Sequence, residues 1–304
     1  MTMRHVTLRQ LRVFESAARN VSFARAAEEL HLTQPGVSMQ VKELEQSAGL
    51  PLFERIGRKM HVTEAGRELL VRTHEVLRAL DDAEAALDAL RGLRRGHINL
   101  GVTSTAKYFA PILLARFRDL HPSLDFRLAV SNREAVLADL AGNQVDLTIM
   151  GRPPEALATI AAAFAPHPFV IIAAPGHPMA RRRRIPIAAL ADETFLVREP
   201  GSGTSSAMEQ YFREQGLPVR VGMEMASNET IKQAAMAGMG VSFLSRHTIG
   251  LELASKRLVV LDVRGLPVMR EWYVVHLAAK RLSPTAQAFR AFVLRHGRGV
   301  LERL

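Results

Sequence analysis

Five side chains with complementary hydrogen-bonding and apolar capacities crowd into "TQPGVSMQVK": Gln34, Pro35, Ser38, Met39 and Lys42. The chemistry they could share is contact with a DNA duplex. A glutamine amide can pair with N6 and N7 of adenine, a serine hydroxyl adapts to either partner, and proline or methionine carbon can meet a thymine methyl. A lysine ammonium suits phosphate, which positions a protein without reading sequence. Three further cations, Arg55, Arg58 and Lys59, follow in "FERIGRKM" and again suit the backbone. The competing reading of either group is a solvated polar surface, so the elements that carry them decide.

Those elements are legible from periodicity. "TLRQLRVFESAARN" repeats Leu8, Leu11, Phe14, Ala17 and Ala18 at helical spacing, which predicts one apolar face. Ser22 is placed to cap "FARAAEEL", with Phe23, Ala26, Ala27 and Leu30 turned inward. Thr33 caps a third helix, and Pro35 falls in its first turn, where a missing N–H costs nothing. Val37, Val41, Leu44 and Ala48 then form a buried stripe, leaving the five candidate residues on the other side. Two helices joined by a tight turn, the second presenting its N-terminal side chains, is a geometry that docks in a major groove. "GLPLFERIGRKMHVTEAG" reads as two short strands around a basic tip, anchored by Phe53 and Ile56: the wing of a winged helix-turn-helix. Thr63 caps a long helix in which Leu69, Leu70, Leu77, Leu80, Leu87 and Leu90 mark a near-heptad seam. A second copy would cover that seam, so a homodimer is expected.

Composition sets the outer limits. With 304 residues, 48% of them hydrophobic, two or three units are expected. The absence of cysteine excludes disulfides and thiolate metal sites, and fits a reducing cytoplasm. The opening "MTMRHVTLRQLRVF" has no apolar core of signal-peptide type, and the longest apolar run, "FVIIAAP", is too short to span a bilayer. A cytoplasmic protein with no membrane partner is expected. The net charge of +10 is unevenly placed: residues 1–62 carry +3, residues 63–96 carry −1, and residues 97–304 carry +8. Bulk charge therefore does not mark the DNA-reading segment; local pattern does.

At this point residues 6–66 resemble the amino-terminal domain of LysR-type transcriptional regulators, through "LRVFESAARNVSFARAAEELHLTQPGVSMQVKELEQSAGLPLFER" and "VTEAG". The resemblance implies DNA contacts from Gln34, Pro35, Ser38 and Arg55. The position after that serine is often arginine in the family; here it is Met39, which points to apolar contact with a base methyl. The implied partners are double-stranded promoter DNA, a second copy through the linker helix, a homotetramer, and RNA polymerase as a further candidate.

From His97 the pattern changes to alternating strands and helices. "HINLGVTS", a helix from Thr105 to Leu120, "SLDFRLAVS", "REAVLADLAGN" and "VDLTIMG" form a βαβαβ series and predict a parallel sheet. Further strands are expected at "PFVIIAAPGHP", "TFLVREPGSGT", "VRVGMEMAS", "GVSFLS", "LVVLDV" and "EWYVVHLAA", with helices near 205–215 and 228–238 and a last one opened by Ser283-Pro284. The resemblance extends over this region. It implies an α/β effector module of two lobes, similar to periplasmic solute-binding proteins, with the chain crossing near Pro166–Phe169 and Arg270–Tyr273. The layout is a winged helix-turn-helix over 1–62, a linker helix over 63–92 and an effector module over 93–304, with lobe I about 97–167 and 273–304 and lobe II about 168–272.

Ligand-facing family positions carry over to Ser104, Thr105, Ser131 and Asn132 in one lobe. In the other they carry over to Pro200, Gly201, Ser202, Gly203, Thr204 and Asn228. The residues themselves support this, because "TSTAK" and "EPGSGT" place hydroxyls and free N–H groups at helix starts, a setting for anions. Lys107, Arg133 and Arg198 could add charge. The competing reading is that Ser and Thr there only cap helices. "AGMG" at 237–240 reads as a helix-to-strand turn, and "RRRR" at 181–184 as a solvated run. "STAKYFAP", "SNRE" and "VREPGSGT" resemble the family branch that controls carbon-fixation (Calvin cycle, RuBisCO) operons, which implies a small anionic effector: a sugar phosphate, phosphoenolpyruvate or NADPH.

No catalytic or metal site is expected, since no G-x-S-x-G elbow, P-loop or HExxH motif occurs, and His74, His121 and His167 are scattered. Two rivals stay open: a LysR-type regulator of a different metabolic operon, and a cytosolic solute-binding protein without a DNA-reading role.

Overall fold

The computed structural model describes residues 6–57, 59–90 and 96–303, with backbone alone for 81–82 and 84–90. Contacts divide the chain into two compact units, Met1–Arg91 and Gly92–Leu304.

The first unit holds α1 (Leu8–Asn20), α2 (Phe23–Glu29), α3 (Gln34–Ala48), β1 (Phe53–Ile56), β2 (Lys59–Val62) and α4 (Glu64–Leu90). Each early helix starts on a hydroxyl: Thr7 in a capping box with Gln10, Ser22 accepting from Arg25 N, and Thr33 accepting from Gly36 N. Val37, Val41 and Leu44 are buried as their spacing predicts, with Ala48 half-buried. On α1 the apolar arc is shifted. Val13 and Ser16 join Leu11, Phe14, Ala17 and Ala18 inside, whereas Leu8 is 41% exposed. At 100° per residue Leu8 falls about 60° beyond Leu11, outside the arc that meets α2, α3 and the wing.

β1 and β2 pair antiparallel, with Phe53 opposite Val62 and Arg55 opposite Met60. Phe53 packs edge-on against Phe14 and Phe23. Ile56 is not an anchor: it sits beside the Gly57 bend, 63% exposed, and Leu52 is the buried partner instead. Glu45 Oε1 accepts the N–H groups of Leu52 and Phe53 at 2.8 and 3.2 Å, which ties α3 to the start of the wing. Gly66 lets α4 start against that loop, because a Cβ there would lie 2.2 Å from Leu52 O. Leu69 and Leu70 pack on this unit's own core rather than extending a free seam. Leu77 and Leu80 are half-buried, and the side chains of Leu87 and Leu90 lie outside the described residues.

The second unit runs β3 (Gly96–Thr103), α5 (Ala110–Leu120), β4 (Leu124–Ser131), α6 (Arg133–Ala141), β5 (Leu147–Met150), β6 (Thr159–Ala173), β7 (Thr194–Arg198), α7 (Gly203–Glu214), β8 (Arg220–Met225), α8 (Asn228–Met236), β9 (Ser242–Ser245), α9 (Gly250–Ala254), β10 (Val259–Val260), β11 (Val268–Leu277) and α10 (Pro284–Leu301). β3 lies parallel to both β4 and β5, the expected βαβαβ arrangement. The helix expected from Thr105 is broken into a 3-10 turn at Ala106–Tyr108 and then α5. The ring of Pro111 would clash with the carbonyl four residues back in a continuous helix.

β6 starts at Thr159, well before the expected Pro168, and runs antiparallel to β11 along its length, with a bulge at Trp272/Tyr273. These two long strands serve two cores. Phe164, Ala165 and Trp272 join one with Ile98, Phe117 and Phe289. Phe169 and Ile171 join another with Phe195 and Phe243. The unit is therefore two-lobed. No described helix is long and apolar enough to cross a membrane.

Candidate DNA-reading surface and effector cleft

On α3, Gln34, Pro35, Ser38, Met39 and Lys42 are all exposed, Met39 to 56%. The flank behind them is closed by Val37, Val41 and Leu44. Arg55 and Lys59 are exposed on the wing; Arg58 lies outside the described residues. The side chains of Gln34, Ser38, Lys42, Arg55 and Lys59 form no hydrogen bond or ion pair with another described residue. The arrangement offers amide, hydroxyl and apolar groups at a helix start, flanked by cations, with no described residue of the unit to satisfy them.

A cleft of about 760 Å³ in the second unit is bordered by Ser104, Thr105, Arg133, Arg198, Ser202, Gly203 and Thr204 of the expected effector positions. β3 delivers Ser104 and Thr105, while the turn after β7 delivers Ser202 to Thr204 at the start of α7. Ser202 caps α7 by accepting Ser205 N at 2.9 Å. The hydroxyls of Thr105 and Thr204 face each other at 3.5 Å across the lobes.

The other expected positions do not border this cleft. Asn132 caps α6 through Ala135 N at 2.9 Å. Ser131 lends its carbonyl to Ser104 N at 2.8 Å. Asn228 is buried beneath Arg198, accepting from its Nη1 at 2.6 Å. Pro200 borders a second hollow beside Met208 and Phe212, and Gly201 forms the left-handed turn before α7.

Two of the three expected cations are already neutralised. Arg198 is 3% exposed and forks onto Glu199 at 2.6 and 2.7 Å, with a further bond to Ser104 Oγ at 3.2 Å. Lys107 pairs with Glu229 at 2.7 Å. Tyr108 donates to the same carboxylate, and Lys232 sits 4.8 Å over its ring. Burial, followed by Glu229, raises the Tyr108 hydroxyl far above its ordinary range, so it remains a donor. Of the three cations, only Arg133 has no carboxylate partner among the described residues. Burial and the neighbouring Arg152 lower its pKa.

Sequence reasoning missed the floor of the cleft. Arg152, His167, Gln210, Arg270 and Trp272 all border it. His167, read as one of several scattered histidines, stacks on Trp272 at 3.8 Å between ring centroids. Burial keeps His167 neutral, and pushes His247 down to about 4. Trp272 Nε1 donates to His247 Nδ1 at 3.2 Å, which places that ring's proton on Nε2. The available signal was the pair of strand crossings, since residues where two strands pass between lobes must border the space between them. Among the described residues no three His, Asp or Glu side chains converge as a metal would require.

Two family models match the chain: "bacterial regulatory helix-turn-helix protein, lysR family" over residues 8–67, and "LysR substrate binding domain" over residues 91–298. The chain is 52% identical over 290 residues to the RuBisCO operon transcriptional regulator of Allochromatium vinosum, covering 95% of this chain and 96% of that one. It is 52% identical over 287 residues to the transcriptional regulator CbbR of Rhodospirillum rubrum, covering 94% and 95%. Among solved structures, the Synechocystis PCC6803 CcmR regulatory domain in complex with 2-PG matches with a TM-score of 0.64 at 42% identity, over 66% of this chain and 96% of that one. Full-length CbnR complexed with its target DNA matches in fold, with a TM-score of 0.71 at 20% identity over 95% and 99%.

Proposed function

This chain belongs to the LysR family of transcriptional regulators, and from that premise we propose that it controls carbon-fixation (RuBisCO) genes in response to a small anionic metabolite. The observation that carries the DNA-reading role is the bare polar flank of α3 above a closed Val37–Val41–Leu44 flank. Gln34 and Ser38 would read base edges, Pro35 and Met39 thymine methyls, and Lys42, Arg55, Arg58 and Lys59 phosphates. The carbon-fixation assignment is supported by 52% identity to the Allochromatium vinosum regulator across 95% of the chain.

In this reading residues 1–62 bind DNA, residues 63–92 pair two copies and residues 93–304 sense the effector. Exposed Val71 and Val76 on α4 support pairing there, on the way to a homotetramer. The hydroxyl rim of Ser104, Thr105 and Ser202–Thr204 takes an anionic group of the ligand. The 2-PG held by the CcmR regulatory domain makes 2-phosphoglycolate the first candidate, ahead of sugar phosphates, phosphoenolpyruvate and NADPH. The protein works in the cytoplasm, contacts RNA polymerase at the promoter and catalyses no reaction.

A ligand shifts lobe arrangement only by binding one arrangement more tightly, and that shift would reset the DNA bend imposed by paired winged helices. Footprinting on a palindromic promoter site and a scrambled control, at stated salt, tests this. Protection confined to the palindrome, with a footprint that changes length on adding 2-phosphoglycolate, is the expected result. Equal protection of the scrambled site overturns DNA reading; ligand binding with an unchanged footprint overturns the coupling.

A further inference from the structure

Two cations around the cleft are answered within the protein: Arg198 by Glu199, and Arg152 by Glu155. Glu271, the remaining acidic residue on the cleft, is exposed and forms no ion pair with a described residue. Three groups able to donate to a ligand are also left open. Arg270 donates to Gln210 Oε1 at 2.8 Å and forms no ion pair among the described residues. Arg133 reaches only Met150 Sδ at 3.8 Å and the carbonyls of Arg152 and Pro153. His167 is 3% exposed, and neither ring nitrogen has a hydrogen-bond partner.

The first and third are neighbours. His167 and Arg270 are opposite residues of the β6–β11 pair, so their side chains leave the sheet on one face. Backbone closes one side of the imidazole, since a Cβ at Gly151 would lie 2.9 Å from His167 Nδ1. A buried N–H with no acceptor, beside a guanidinium with no carboxylate, lacks one thing: an anion that accepts from both. A guanidinium fork and further donors from other directions suit the three oxygens of a phosphoryl group.

This place differs from the hydroxyl rim. Gln210, which holds Arg270, lies seven residues along α7 from Gly203, about 10 Å at 1.5 Å per residue. We propose that Arg270 and His167, faced by Arg133 across the cleft, form a phosphoryl-binding pole separate from the Ser104–Thr105 and Ser202–Thr204 rim. The pole makes Arg270 the residue that distinguishes phosphorylated from unphosphorylated ligands. The inference rests on the cleft being the effector site.

Calorimetry on the full-length chain, at fixed ionic strength, with inorganic phosphate, 2-phosphoglycolate and glycolate is the test. Arg270→Gln is expected to weaken phosphate and 2-phosphoglycolate about tenfold or more, with Arg270→Lys intermediate because the fork is lost and the charge kept. Arg183→Gln, in the exposed arginine run, is the control for bulk charge and is expected to change binding less than about twofold. A thermal melt of each variant establishes that it is folded. If 2-phosphoglycolate binds wild type and Arg270→Gln equally, the pole is overturned and the effector cleft stands. Losses from Arg183→Gln as large as those from Arg270→Gln overturn it too. If neither phosphate nor 2-phosphoglycolate binds wild type, 2-phosphoglycolate fails as the effector and the pole fails with it.

Discussion

Helix α3 and the effector cleft are both polar, but they hold their polarity in opposite ways. On α3 the side chains of Gln34, Ser38 and Lys42 form no hydrogen bond or ion pair with another described residue. In the cleft Arg198 alone contacts Glu199, Asn228 and Ser104. A bare surface has to be completed by another molecule, so residue type there reports directly on the partner. A cleft that has answered some of its own charges reports on the partner only through the groups left open. The comparison teaches that a cation near a ligand site is available to a ligand only after its carboxylate neighbours have been counted.

The strongest test of that distinction is Arg198→Met. The guanidinium is buried and supports Glu199, Asn228 and Ser104, so its loss strands a largely buried carboxylate and amide. A destabilisation of about 3–5 kcal/mol is expected in urea denaturation of the transition that involves the second unit. Ser38→Ala, on the bare surface, should move stability by no more than about 0.5 kcal/mol. Comparable losses from the two would erase the contrast.

On DNA the order reverses. Gln34→Ala is expected to lose about 1–3 kcal/mol of discrimination between the operator and a single-base variant, with stability unchanged. Arg55→Ala should weaken every sequence alike and reduce the salt slope by about 1. Titrations at several salt concentrations separate the two; a sequence-dependent loss from Arg55→Ala would move the base-reading function onto the wing.

The same contrast explains what was legible in the sequence. The α3 stripe follows from i, i+4, i+7 spacing, and Thr33 and Pro35 mark its start through local backbone chemistry alone. Ile56 was misjudged because strand alternation says nothing about what lies beyond a hairpin tip. Leu69 and Leu70 looked like seam residues, since periodicity identifies an apolar face and not which body covers it. In the second unit the strands of the parallel series were readable. The early start of β6 was not, because proline is rare inside paired strands, yet Pro166 and Pro168 keep their register opposite Glu271 and Met269. The rim hydroxyls follow from helix-start chemistry. The Arg270–His167 pair depends on a register between strands about a hundred residues apart, which no local pattern encodes.

The smallest effect concerns the ion pair that joins the lobes. Burial would raise the Glu229 carboxyl, but hydrogen bonds from Lys107, Tyr108, its own backbone and Ser227 outweigh it and hold the value at about 2, against an ordinary 4.5. A lowered folded value means the carboxylate contributes its full stability above about 4.5 and loses it as pH falls through about 2. The Glu229 side chain is 46% exposed, so solvent screening limits the contribution to about 1 kcal/mol or less. The stability difference between wild type and Glu229→Gln should therefore be flat above pH 4.5 and shrink between 4.5 and 2. A difference that grew on acidification would mean that the carboxylate does not hold Lys107. Lys107 would then rejoin Arg133 and Arg270 among the cations open to a ligand, and the division between answered and open groups would have to be redrawn.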